Sequence, residues 1–72
     1  MQLTYSRLKF RKADRPAKTY HAGRGSYMYT VAWDGSRWTL RIWNWGHLAD
    51  YGYGNTALSM MQSANEHAEA RT

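Results

Sequence analysis

Arg41, Trp43 and Trp45 stand two residues apart, the spacing that puts side chains on one face of a β-strand. A guanidinium binds phosphate and stacks on rings, and an indole offers a flat π-surface to a nucleobase. The same residue types dominate the centres of protein interfaces. Met28, on the run that must pair with this one, falls on the same face. Arg41, Trp43, Trp45 and Met28 are therefore the candidate partner-binding residues. The alternative is nucleic-acid binding through Arg7, Lys9, Arg11, Lys12, Arg15 and Arg41, which would neutralise phosphates, with Trp43 stacking or wedging. A third arrangement has the N-terminal segment folding across this face and burying its tryptophans.

No catalytic constellation assembles. A nucleophile needs a base beside it and a group to orient that base. His21, His47 and His67 fall in different segments. Asp50 follows His47 by three residues, a spacing that suits a metal or an acid–base pair but is more often a solvated loop. No HExxH, phosphate loop or dinucleotide fingerprint is present. Gly23-Arg24-Gly25 is a short turn that offers amides to a phosphate only weakly. The absence of cysteine excludes disulfides, thiolate-bound zinc and iron–sulfur clusters. The expectation is a non-enzyme with no cofactor, no metal and no small-molecule substrate. Its partner is a protein, a second copy of itself or nucleic acid.

Charge sharpens this. The net charge is +5 at pH 7. Residues 1–24 carry seven basic side chains (Arg7, Lys9, Arg11, Lys12, Arg15, Lys18, Arg24) against one acid, Asp14. The remainder is nearly balanced. Such asymmetry points to an acidic partner, or to a surface that keeps a small protein soluble. The longest stretch without a formal charge, Tyr51 to Asn65, is shorter than the roughly 20 apolar residues of a membrane span. No basic head followed by an apolar run opens the chain, so the expected location is the cytoplasm, with no membrane partner.

The elements that position these residues follow from period and punctuation. The 72 residues make one small domain: a basic strand and loop over 1–24, a hairpin and aromatic–glycine loop over 25–55, and a helix over 56–70. Residues 2–10 alternate imperfectly and predict a strand, with Leu8 and Phe10 on one face. Residues 11–18 read as a basic loop, because Pro16 has no amide to donate. A short strand is predicted at 19–21, then a turn in which Gly23 and Gly25 bracket Arg24. Tyr27–Trp33 and Trp38–Trp45, separated by Asp34-Gly35-Ser36-Arg37, predict a hairpin. A two-residue or a four-residue connection gives the same faces. Tyr27, Tyr29, Val31, Trp33, Trp38, Leu40 and Ile42 fall on the core side; Met28, Thr30, Ala32, Thr39, Arg41, Trp43 and Trp45 fall opposite. Residues 46–55 hold a short strand at 49–53 or only a loop. Thr56 is a helix N-cap. In the helix, Ala57, Met61, Ala64 and Ala68 cluster, flanked by Leu58 and Met60.

The fold class is α+β: an antiparallel sheet of three or four strands with one C-terminal helix packed on one face. The runs Gly25–Val31 and Trp38–Ile42, and then Thr56-Ala57-Leu58 entering an alanine-bearing helix, resemble a pattern in small actinobacterial and actinobacteriophage accessory proteins. The resemblance spans residues 20–70. It implies a small accessory protein acting in a bacterial cytoplasm; the uncovered Arg41/Trp43/Trp45 stripe adds the expectation of a self-associating protein-binding module that modulates a host or phage protein. The order of elements is also similar to the sheet-plus-helix DNA-binding domains of plant ethylene-response factors and of phage integrase arms. In those the sheet enters the major groove, whereas this hairpin brings only Arg41, with Arg37 at its turn.

Overall fold

A computed structural model describes residues 8–15 and 18–70 of the chain. The central hairpin is closed by Asp34. Its Oδ1 accepts from the Ser36 amide at 2.9 Å, the Ser36 hydroxyl at 3.0 Å and the Arg37 amide at 2.9 Å. Its own amide donates to the Arg37 carbonyl at 3.0 Å. These bonds favour the longer connection: Trp33 pairs with Trp38 and Val31 with Leu40, so four residues turn the chain. The amides of Ser36 and then Arg37 hold the Asp34 carboxyl below its ordinary value.

From this hairpin the sheet grows to both sides. The strands are β1 (Arg11–Lys12), β2 (Thr19–Arg24), β3 (Tyr27–Trp33), β4 (Trp38–Asn44) and β5 (His47–Gly54), followed by the helix α1 (Ala57–Ala70). They form a five-stranded antiparallel meander in chain order. The α+β class holds, and the expected count of three or four strands is corrected to five.

β1 comes from a segment read as a loop, and β5 from one read as a short strand at 49–53 or only a loop. Arg11 and Lys12 pair with His21 and Tyr20 inside the basic loop; Pro16 lies outside the described residues. The glycine-punctuated stretch after Asn44 is an eight-residue strand. Gly23 and Arg24 belong to β2, and the turn falls on Gly25 and Ser26, with Gly25 at φ +60°. The strand predicted at 2–10 is not formed at residues 8–10, and residues 2–7 lie outside the described residues. Leu8 instead turns toward the helix, where its amide donates to Asn65 Oδ1 at 2.7 Å.

The core is one-sided. Tyr29, Val31, Leu40 and Ile42 from the two central strands are buried against Met60, Ala64 and Ala68 of α1, with Ala22 and Leu8 at the margin. Burial of these apolar side chains supplies the main stabilisation of so small a domain. Small Ala64 and Ala68 let the helix lie close to the sheet. The Thr56 hydroxyl accepts from the Ser59 amide at 3.0 Å, which caps the helix as the sequence predicts. The buried stripe is rotated slightly from the expected one: Met60 is enclosed, Met61 is half-buried and Leu58 is exposed. Tyr29 Oη and His67 Nδ1, 2.8 Å apart, join the middle of the sheet to the last turn of the helix.

Candidate functional site

The helix covers one face of the sheet, and register determines what stands on the other. Residues directly opposite across an antiparallel ladder share a face. One cross-sheet row runs Arg11, His21, Thr30, Arg41, Tyr51. The row toward the Gly25 turn is Gly23, Met28, Trp43, Leu48. The row toward the Asp34 turn is Thr19, Ala32, Thr39, Tyr53. Met28, Leu48, Tyr51 and Tyr53 are exposed on this side, and Trp43 is half-buried between Met28 and Leu48.

β5 is the informative strand. Gly54 lies opposite Trp38, Gly52 opposite Leu40 and Asp50 opposite Ile42, all with helix-side parity. A Cβ on Gly54 would meet the Met60 methyl at 2.5 Å, so the end of the Met60 side chain fills the space beside this glycine. The rings of Tyr51 and Tyr53 therefore point away from the core, 61% and 51% exposed. Their centroids are 5.8 Å apart. A bulge at Ile42/Trp43 leaves Ala49 without a direct partner and shifts the strand's parity before Leu48.

The strand charges on this face share one sign. Arg41 is exposed and makes no ion pair among the described residues. The Arg37 guanidinium lies 3.6 Å from the Tyr53 ring centroid, a cation–π stack, and its Nε pairs with Asp34 Oδ2 at 3.7 Å, so one carboxylate stands at the turn end of the face. Arg11 begins the central row beside His21, whose Nδ1 lies 3.4 Å from Thr30 Oγ1. The chain's five acids are elsewhere: Asp14 and Asp34 in connections, Asp50 on the helix-side parity, and Glu66 and Glu69 on α1. No open-face strand position among the described residues holds a carboxylate.

Two adjoining hollows lie at the β2 end. One, of about 570 Å³, is lined by Lys9, Arg11, Lys12, His21, Gly23 and Met28 among others. The second, of about 580 Å³, includes His21, Ser26, Met28, Thr30, Trp43 and Gly46. They share His21 and Met28, so a cationic edge runs without a break into an apolar floor.

Of the residues singled out by sequence, Arg41, Trp43 and Met28 share the open face. Trp45 does not: it leaves the strand and occupies the two-residue turn between Asn44 and His47, at φ +53°. Lys9, Arg11, Lys12 and Arg15 are exposed along the β1 edge, away from the centre of the sheet. Arg7 lies outside the described residues. The arrangement in which the N-terminal segment covers the tryptophans does not hold for residues 8–10, since Leu8 and Phe10 pack with the helix-side core. His47 and Asp50 make no acid–base pair; the Asp50 carboxylate accepts from the Tyr51 amide at 2.8 Å.

Sequence reasoning missed Tyr51, Tyr53, Leu48, Arg37 and His21. The signal for the tyrosines was present: Tyr-Gly-Tyr-Gly alternates strictly, large with none, as a strand does when its bulk lies on one side. Among the described residues, no helix is long and apolar enough to cross a membrane. Comparison of the chain with protein-family models, with curated proteins and with solved structures gives no match.

Proposed function

We propose that this protein binds single-stranded nucleic acid on its open sheet face. The observation that carries the reading is β5: two of its helix-facing positions are glycine, and its tyrosines are displayed on the far side next to Arg41 and Arg37. Burial in the core does not account for those rings. Exposed rings interleaved with guanidiniums, with no carboxylate on the strands and Asp34 confined to the turn beside Arg37, suit stacked bases and a phosphate backbone. The cationic β1 edge continues the path for the backbone. The sheet face replaces the basic N-terminal segment as the centre of the interface, and Tyr51 and Tyr53 join Trp43 as stacking residues.

The test is titration of a fluorescently labelled oligothymidine followed by anisotropy. Stacking contributes about 1–3 kcal/mol per base, so the double variant Tyr51→Thr/Tyr53→Thr should bind about a hundredfold more weakly. Threonine preserves strand preference, and an unchanged melting temperature would separate loss of binding from loss of fold. Absence of binding by the wild-type protein at low salt would refute the reading.

A second reading is favoured by Met28 and Leu48, exposed beside Trp43. Bases need no such aliphatic side chains, whereas a protein surface or a second copy would use them. This is the protein-binding role expected from the Arg41, Trp43, Trp45 and Met28 pattern in the sequence. Sedimentation of the same samples without nucleic acid distinguishes it, because self-association would then appear without oligonucleotide.

A further inference from the structure

Trp45 occupies a conformation that bulky residues avoid. Its φ is +53° and that of Gly46 is +83°, the pair of positive angles that marks a type I′ turn. Asparagine before glycine adopts this turn readily; a residue with a large side chain is an outlier there. One other non-glycine among the described residues has positive φ, Lys18 at +55°. Its side chain is used within the fold, with Nζ 5.7 Å from the Trp33 ring centroid. The Trp45 indole has no such return. It is 80% exposed, and no ring or cation contact engages it among the described residues. The bond that holds this residue is a backbone one, from its amide to the Ser26 carbonyl at 3.0 Å, which any amino acid except proline would make. The Ser26 hydroxyl donates to Asn44 Oδ1 at 2.7 Å, so the two neighbouring turns are tied together and the tip is fixed.

We propose that Trp45 is a presented stacking plate, held at the rim of the open face to take a nucleobase beyond those on Trp43, Tyr51 and Tyr53. The inference rests on the nucleic-acid reading above and extends it by one subsite. An unfavourable backbone conformation with no intramolecular benefit is expected where an external ligand provides one. Gly46 lines the hollow whose floor is Met28 and Trp43, so the tip borders the track rather than standing apart from it.

The test is Trp45→Asn, which installs the preferred Asn-Gly turn, alongside Trp45→Phe, which retains an aromatic ring. Both are compared with wild type by anisotropy of labelled oligothymidine and by thermal melting. The expected result is opposed changes in Trp45→Asn: the melting temperature rises by about 4–8 °C while affinity falls about tenfold. Trp45→Phe should recover part of the affinity. Wild-type binding with Trp45→Asn within twofold of it would overturn the stacking plate and leave the sheet-face reading standing. A fall in melting temperature would also overturn it, since the indole would then be serving the fold. No wild-type binding at all would remove the underlying reading instead.

Discussion

Arg41 is where the electrostatic half of the proposal can be measured most cleanly. It stands in the middle of the open face, flanked across the ladder by Thr30 and Tyr51, and makes no ion pair among the described residues. Replacing it with alanine removes no core contact, so stability should change by no more than about 0.5 kcal/mol, or a few degrees in melting temperature. Binding should respond differently. Each phosphate neutralised on a single strand adds about 0.7 to the slope of log affinity against log salt. Arg11, Arg37 and Arg41 serve the face itself, so a strand held there gives a slope near 2. Raising salt fourfold should then weaken wild type about 20-fold and Arg41→Ala about 7-fold. A strand that also runs along Lys9, Lys12 and Arg15 would bring the wild-type slope toward about 4, so the absolute slope reports the path. The assay is oligonucleotide titration at four or more salt concentrations. A variant that loses affinity with an unchanged slope would show that Arg41 does not contact phosphate. A slope near zero for wild type would refute the electrostatic argument for the whole face.

Two further predictions concern the frame that carries this face. Thr56→Ala leaves the Ser59 amide without its capping oxygen, which should cost about 1 kcal/mol and lower the melting temperature by about 4–8 °C; a neutral result would mean that water caps the helix equally well. Asp34→Asn preserves an oxygen acceptor at the central turn but removes its charge. The amides of Ser36 and Arg37 hold the Asp34 carboxyl below 3.8, so its contribution is complete above that value and is lost as pH falls through the lower, folded-state value. The difference in melting temperature between wild type and Asp34→Asn should be constant down to about pH 4 and close below it; a difference that persists at the acid end would assign the effect to geometry rather than charge.

What the sequence made legible was governed by local rules. Alternation in Tyr27–Trp33 and Trp38–Ile42 assigned both faces correctly, because either even-length connection gives the same parity. Thr56 marked the helix start, since a hydroxyl at that position has one use. Three things were hidden. β1 is two residues long and exists through its pairing with β2, not through any pattern of its own. β5 carries glycines that ordinarily end strands, yet here both fall on the helix-side parity, and Gly54 lies directly beneath Met60 and Ser59 of the helix. Trp45 continued the alternation of β4 on paper, but Gly46 after it offers a turn, and the chain turned one residue earlier than the apolar pattern implied.

The inversion of β5 also bears on which partner the face serves. A helix of 14 residues covers part of one side of a sheet five strands wide, and the fold requires apolar side chains only beneath it. Selection for solubility alone would fill the uncovered side with Thr, Lys and Glu. Beside Thr19, Thr30 and Thr39 it holds Met28, Trp43, Leu48, Tyr51 and Tyr53, with arginine as the interspersed charge and no acid on its strands. Apolar bulk by itself fits any partner. The one-sided sign does not: a typical protein surface mixes both charges, and a face whose strands carry no carboxylate, with Asp34 at the turn already paired to Arg37, offers little counterpart for that partner's lysines and arginines. A polyanion carries no such cations, and its bases supply flat surfaces to match the rings. The distribution of charge, more than the presence of tryptophan, is what supports the proposal of nucleic acid over protein as a ligand for this sheet.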